Sequence, residues 1–324
     1  MTGEQHAVQS TRTDLTPTTG GIHNPIEAIR RAACAPRRHS DDTIARAAWS
    51  VIIHPGDTEA GAFIAEHGAT RALELVVKTT TPSAPDQLAR LAGTQYNAAR
   101  VARRLDLTET LGFAIITPED DEWPDRLTAL GEGLPLLLWC DGDPSALNRE
   151  HATAIAGSRA ATPYGEHAAM TLTSDLVREG HAIITGAAYG IDGAATRSTL
   201  AEEGTAVAVL AGGVDRPYPA GHHDLIARVA ANGGAVISEL PPTTTPTRWR
   251  FLQRNRIIAA LGQRLIIVEA GTRSGALNTA AHATQAGTPV YAVPGPITSS
   301  ASAGCHVLIR ENKARLLTNA AELL

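Results

Sequence analysis

The chain has 324 residues, a mass of 33.9 kDa and a formal net charge of −5, enough length to bury a full core. Its 43% hydrophobic and 19% charged residues exclude disorder throughout, and a pI near 6.2 argues against a cationic coat for duplex DNA. Cys34, Cys140 and Cys305 are too scattered for a disulfide framework or a zinc site. No run approaches the roughly 18 apolar residues of a membrane span, and residues 1–40 lack a signal-peptide core. A cytoplasmic protein with no membrane contact is expected.

In chain order, residues 1–40 are polar and rich in Thr, Pro and Gly, as in "STRTDLTPTTGG", which predicts a disordered tail. Residues 41–110 read as a small helical domain. "DDTIARAAWSVI", "EAGAFIAEHGATRALELVV" and "PDQLARLAGTQYNAARVARRL" each place apolar residues at helical spacing. From residue 111 to 324 short apolar runs alternate with amphipathic helices. The candidate strands are "FAIIT", "PLLLW", "ATAIAG", "HAIITG", "TAVAVLAGG", "GAVISE", "RLIIVEA" and "PVYAVPG", apolar on successive residues as in strands buried on both faces of a parallel sheet. The alternation predicts an α/β fold, a Rossmann-like doubly wound and mostly parallel sheet.

Ligands of such sheets gather at the carboxyl ends of the strands, and four loops there carry groups suited to anions. After "ATAIA" come Gly157, Ser158 and Arg159, then Thr162-Pro163-Tyr164 opening a helix. This arrangement suits a phosphate, and it equally suits a tight turn with an exposed Arg. "TGAAYGIDGAA" places Gly186 and Gly190 near Asp192, a residue better read as a cap than as a general base. "LAGGVDRPYPAGHH" supplies Gly212, Arg216 and the adjacent His222 and His223, a poor metal pair because neighbours on a helix diverge. "EAGTRSGALNTA" contributes Arg273, Ser274 and Gly275, with Ser274 as a helix cap that shares its N–H groups with a phosphate.

Charge is segregated along the chain. Residues 109–143 hold nine Asp/Glu and one Arg, whereas residues 240–268 hold five Arg and no acid. Within the latter, "RWRFLQRNRIIAAL" concentrates Arg248, Arg250, Arg254 and Arg256 at the start of a helix, where cations oppose the helix dipole unless an anion joins them. Ile257, Ile258 and Leu261 would face the sheet while Arg254 and Arg256 diverge from it. Trp249 and Phe251 are placed to stack bases, although Phe251 also suits packing under the helix start. Glu239 and Glu269 end strands with no partner that marks either as a catalytic acid or base. No G-x-x-x-x-G-K-[ST], strand-following G-x-G-x-x-G or G-x-S-x-G occurs, so no cofactor or catalytic motif emerges.

The ordered series "AIAGSRAATPYG", "IITGAAYGIDGAA", "AVLAGGVDRPYP", "SELPP", "FLQRNRIIAAL", "VEAGTRSGALNTA" and "AVPGPITSSASAGCHVLI" resembles the DNA-processing protein A (DprA, also called Smf) family. The resemblance implies a non-enzymatic binder of single-stranded DNA that dimerises and loads the recombinase RecA during natural transformation. It assigns phosphate contacts to Ser158 and Arg159, the R-N-R element to Arg254, Asn255 and Arg256, and the R-S-G turn to Arg273, Ser274 and Gly275. Self-association falls near Cys305, His306, Val307, Leu308 and Ile309, a strip that equally suits an ordinary core helix.

The chain departs from the family pattern at Thr196, where many members have His, and at Ala220, where many have Lys. These departures imply either weaker DNA affinity or contacts shifted toward Arg216, His222 and His223. Many relatives carry a C-terminal winged helix, and none is expected here. The alternative reading is a nucleotide sensor or a phosphoribohydrolase-like enzyme on a related Rossmann-like fold, although "AGTRSGALNTA" lacks the Glu which that group resembles.

Overall fold

A computed structural model describes residues 24–34, 38–78 and 84–323. Six helices come first: α1 (Pro25–Ala32), α2 (Asp41–Ile52), α3 (Thr58–His67), α4 (Ala69–Val77), α5 (Asp86–Gln95) and α6 (Ala98–Thr110). The expected tail is corrected from residue 24 onward. The Asn24 side chain accepts the Ile26 and Glu27 N–H groups, and Ile26 and Ile29 of α1 are buried. Residues 1–23 lie outside the described residues.

Two of the expected helices are each a pair. Gly68, at φ +76, ends α3 with its N–H on the Ile64 carbonyl and opens α4 by accepting from Ala72; glycine enters that left-handed region at no steric cost. Asn97 accepts from the Arg100 N–H at 2.8 Å and starts α6 anew after α5. Apolar periodicity runs through both breaks because each helix turns its face to one common core. That core contains Trp49, Leu73, Leu88 and Val101, joined by Trp139 of the following sheet and by Leu137 just before that strand.

The sheet has nine strands: β1 (Ala114–Ile116), β2 (Leu138–Gly142), β3 (Ala152–Ala156), β4 (Ala182–Thr185), β5 (Ala206–Val209), β6 (Ala235–Ser238), β7 (Arg264–Ile267), β8 (Val290–Ala292) and β9 (Arg315–Leu316). They lie in the order β1-β2-β6-β5-β4-β3-β7-β8-β9. All neighbours from β6 to β9 are parallel, whereas β1 pairs with β2, and β2 with β6, in antiparallel sense.

The other helices are α7 (Pro163–Arg178), α8 (Ile191–Ala201), α9 (His223–Ala231), α10 (Arg248–Leu261), α11 (Ala276–Gln285) and α12 (Ala303–Arg310). Alternate strand residues divide between the two faces. Ala154, Ile184, Val209 and Ile267 meet α10, α11 and α12 through Ile257, Ile258, Ala280 and Leu308. Ile155, Ile183 and Ile266 meet Leu172 and Leu176 of α7 and Ile191 of α8, while Ala208 and Val236 meet Ile226 and Val229 of α9. The fold is the expected doubly wound α/β sheet with helices on both faces, preceded by a helical region.

At the opposite edge from the strand carboxyl ends, His181 leads into β4. It is buried, with Nδ1 2.9 Å from the Thr153 hydroxyl and its ring stacked on His151 at 5.3 Å. Burial, with smaller contributions from Arg264 and His151, pushes its imidazole down from 6.5 to about 4. Between those values the unfolded chain binds a proton that the folded chain does not. Stability measured by urea unfolding is therefore expected to fall as pH drops from about 6.5 toward about 4. His181→Asn should remove that share of the slope.

Candidate nucleic-acid interface

β3 and β7 are neighbours, and the chain proceeds from them toward opposite edges of the sheet, so the switch point of the topology lies between their carboxyl ends. The loops that meet there are tied by Glu269, which is 1% exposed. Its carbonyl accepts the Ser158 N–H at 2.7 Å. Its carboxylate accepts the Thr162 N–H at 2.8 Å and the Thr162 hydroxyl at 2.7 Å. Thr162 in turn caps α7 by accepting the Gly165 N–H at 3.2 Å. Of the two expectations for this loop, a phosphate site or a tight turn with an exposed Arg, the geometry matches the second, because the helix start already faces a carboxylate of the protein itself. Ser158 is likewise engaged, its hydroxyl donating to the Ala160 carbonyl at 3.1 Å.

Arg159 remains open to solvent, its guanidinium 4.5 Å from the centroid of the Phe251 ring. Close approach of the next loop fixes this one: the Ile191 N–H donates to the Ser158 carbonyl at 3.2 Å, and Gly190, at φ +73, would place a Cβ 2.2 Å from that carbonyl. Only glycine fits there.

The arginines of α10 divide by direction. Arg254 is 5% exposed, and its Nη1 donates to the carbonyls of Gly186, at 2.9 Å, and Val209, joining the carboxyl ends of β4 and β5. A Cβ on Gly186 would lie 2.4 Å from this guanidinium. Asp192, also buried, accepts the Gly186 N–H at 3.0 Å and the Ala188 N–H at 3.4 Å; it lies in the first turn of α8, whose cap position is Gly190, so it ties the preceding loop rather than capping the helix as expected. Burial lowers the Arg254 pKa to about 10, with Asp192 opposing the shift and Arg159 adding to it, so the guanidinium stays charged near neutral pH. Burial raises that of Asp192 against the pull of Arg254.

Asn255 donates to the Asn278 side chain at 3.1 Å and ties α10 to α11. Arg256 pairs with Glu239 at 2.5 Å, both side chains being buried. Direct phosphate contact by Arg254, Asn255 and Arg256 is therefore corrected. A helix packed between sheet and neighbours buries all three side chains, and their hydrogen bonds run inward, although Nε of Arg254 and Nε and Nη1 of Arg256 meet no acceptor among the described residues.

His222 is corrected in the same way: it is buried, with Nδ1 3.0 Å from the carbonyl of Ala187, whose φ is +51. Gly186 and Gly212 are also buried, whereas Arg216, Arg248, Arg273 and Gly275 are exposed. Arg216 lies 3.9 Å from Asp215. Ser274 accepts the Ala276 N–H at 3.3 Å, while Gly275 occupies the cap position of α11. Of the strip in α12, Cys305 and Leu308 belong to the core of this chain, leaving His306, Val307 and Ile309 half-buried. The Cys305 thiol faces the Ile267 carbonyl at 3.6 Å, and burial pushes its pKa up to about 11.

Sequence reasoning missed two aromatic residues. Tyr218 is exposed, with its ring 5.6 Å from Phe251, and the exposed Tyr189 packs on His222 at 4.8 Å. Trp249 is exposed beside His54 at 5.3 Å. The signal was present: with 12 aromatic residues in the chain (3 Phe, 4 Trp and 5 Tyr), two Tyr within glycine-rich strand-end loops are unusual. The loop edge of this doubly wound sheet therefore presents free guanidiniums beside aromatic rings, an arrangement suited to polyanions with flat bases.

Comparison with known proteins shows the family. The family described as DNA recombination-mediator protein A matches residues 114–324. The chain is 47% identical over 251 residues to a putative DNA processing protein DprA of Mycobacterium tuberculosis, covering 74% of this chain and 64% of that one. It is 38% identical over 210 residues to protein Smf of Escherichia coli, covering 64% and 55%. The structure of DNA processing protein A from Streptococcus pneumoniae superposes with TM-score 0.73 at 27% identity, over 88% of this chain and 97% of that one. A Helicobacter pylori structure, described for a single-stranded DNA binding mode of DNA processing protein A, gives TM-score 0.59 at 28% identity over 65% and 93%. The chain belongs to the DNA recombination-mediator protein A (DprA/Smf) family, and it spans 64% of the length of the mycobacterial relative.

The two guanidiniums near the Phe251 ring, Arg254 from α10 and Arg159 from the loop after β3, meet opposite demands. Arg254→Ala strands the Gly186 and Val209 carbonyls and the buried Asp192, and is expected to cost about 3–5 kcal/mol in urea unfolding. Arg159→Ala should leave the unfolding midpoint essentially unchanged, as is usual for exposed sites.

Proposed function

We propose that the chain binds single-stranded DNA along the carboxyl edge of its sheet, through phosphate contacts and base stacking rather than base reading. The observation that carries this reading is Arg159 lying over Phe251, with the exposed Tyr218 ring 5.6 Å from the same ring. A cation for the backbone and a π-face for a base stand side by side there. Arg216, Arg248 and Arg273 extend the cationic edge, and Tyr189 and Trp249 extend the stacking surface. Family membership supports the same ligand.

The protein then acts as a cytoplasmic, non-catalytic mediator. It pairs with a second copy, for which the half-buried His306, Val307 and Ile309 of α12 offer one surface, and it hands the bound strand to RecA during recombination and DNA uptake. None of the described helices is long and apolar enough to cross a membrane.

Fluorescence anisotropy of labelled oligo-thymidine across a salt series tests the binding. Log affinity is expected to fall against log salt by about 0.7 per phosphate contacted. Arg159→Ala should reduce that slope by about 0.7, removing one phosphate contact. Phe251→Ala should weaken binding by about 1–3 kcal/mol with little change of slope, because stacking releases no counterions. Equal affinity for a duplex of the same length, or salt-independent binding, would contradict the proposal.

A further inference from the structure

Between the helical region and the sheet lies a cavity of about 350 Å³ that none of the contacts above uses. Arg100 and Arg104 of α6 line it from one side and Arg250 of α10 from the other, with His54, Thr244 and Thr245 between them. No carboxylate is among its lining residues. Arg250 is oriented by donating from Nη1 to the Thr245 carbonyl at 2.6 Å, and Arg100 by donating to the Gln95 carbonyl. Yet Nε of Arg100 and Nη1 of Arg104 are enclosed and meet no hydrogen-bond acceptor among the described residues, an arrangement that costs free energy unless an anion joins them. Burial lowers the Arg104 pKa; Asp215 opposes that shift, whereas Arg100, Arg216 and Arg103 reinforce it.

We propose that this pocket is a second anion site that holds a phosphate group of a nucleotide. Three guanidiniums match phosphate geometry better than ammonium groups would. The volume falls within the range of small-ligand sites, about 300–1,000 Å³, so it admits more than a bare phosphate. The pocket also joins the proposed DNA surface, because His54 packs on the exposed Trp249 at 5.3 Å. Two sources share this chemistry: a phosphodiester of the strand lying on that surface, which rests on the proposed DNA binding, and a free mononucleotide, which does not.

The experiment compares the full chain with Arg100→Gln/Arg104→Gln, using thymidine monophosphate in calorimetric titration and oligo-thymidine anisotropy across a salt series. Loss of mononucleotide binding in the variant assigns a nucleotide phosphate to the pocket. A reduction of the oligonucleotide salt slope by about 0.7 per lost contact, without mononucleotide binding by either protein, assigns a strand phosphate. If the variant matches wild type in both assays while Arg159→Ala weakens oligonucleotide binding, the second site is overturned and the DNA surface stands. If wild type binds no oligonucleotide, the DNA reading fails and the mononucleotide titration alone decides the pocket; no mononucleotide binding then overturns it. Arg104→Lys, which keeps the charge and loses the fork, provides a folded comparison and is expected to bind more weakly than wild type in whichever assay responds.

Discussion

The buried guanidinium of Arg254 sets the geometry on which the rest of the site depends. An enclosed cation is tolerated only when acceptors surround it, and here those acceptors are the carbonyls of Gly186 and Val209 at the ends of two adjacent strands. The consequence spreads outward. Residue 186 must lack a Cβ, and Asp192 must sit close enough to share the charge while it gathers the N–H groups of the same loop. Phe251 stands one turn earlier on α10, its ring 5.6 Å from the Arg254 guanidinium and 4.5 Å from that of Arg159. The ring therefore lies between an inward cation that fixes the helix and an outward one that is free for a ligand.

The same division explains the acid-free stretch 240–268. Its five arginines are not one cationic face. Arg254 and Arg256 are consumed by the fold, Arg264 donates to the Leu323 carbonyl at 2.5 Å, Arg250 turns toward the helical region, and Arg248 is exposed. Exposed positive charge at the sheet edge comes as much from separate loops, at Arg159, Arg273 and the Asp215-paired Arg216. Glu269 performs for the β3 and β7 loops what Arg254 performs for β4 and β5, a buried charged group spanning two strand ends. Opposite charges in the two roles keep the edge rigid while leaving its outer surface cationic.

Much of the fold was legible in the sequence. Runs such as "ATAIA" and "RLIIV" are apolar on consecutive residues because both sheet faces are covered, and that pattern identifies buried parallel strands directly. β9 escaped notice because Arg315 and Leu316 are only two residues long and both exposed. "PLLLW" was placed early: the paired strand begins at Leu138, and Leu137 packs instead against the helical core. The helix breaks at Gly68 and Asn97 were masked by apolar spacing that runs through both.

At the site, composition pointed to the correct loops but not to the direction in which each side chain points. Two arginines two residues apart read alike in sequence, and only the layers around α10 decide that Arg254 meets strand ends while Arg256 meets Glu239. His222 was misread for a similar reason: it has the chemistry of a surface ligand and the position of a buried acceptor-seeker beneath Ala187. Conversely, Tyr189 and Tyr218 drew no notice because aromatic residues in loops lack the periodicity that marks helices and strands.

Photo-crosslinking of a 5-iodouracil oligonucleotide to the full chain, followed by peptide mapping, locates the bound strand most directly. Crosslinks concentrated at Tyr218, Trp249 and Phe251, and suppressed by unlabelled single strand more than by duplex, are the expected result. Crosslinks at the amino edge around His151 and His181, or a pattern that duplex competes equally well, would contradict the account.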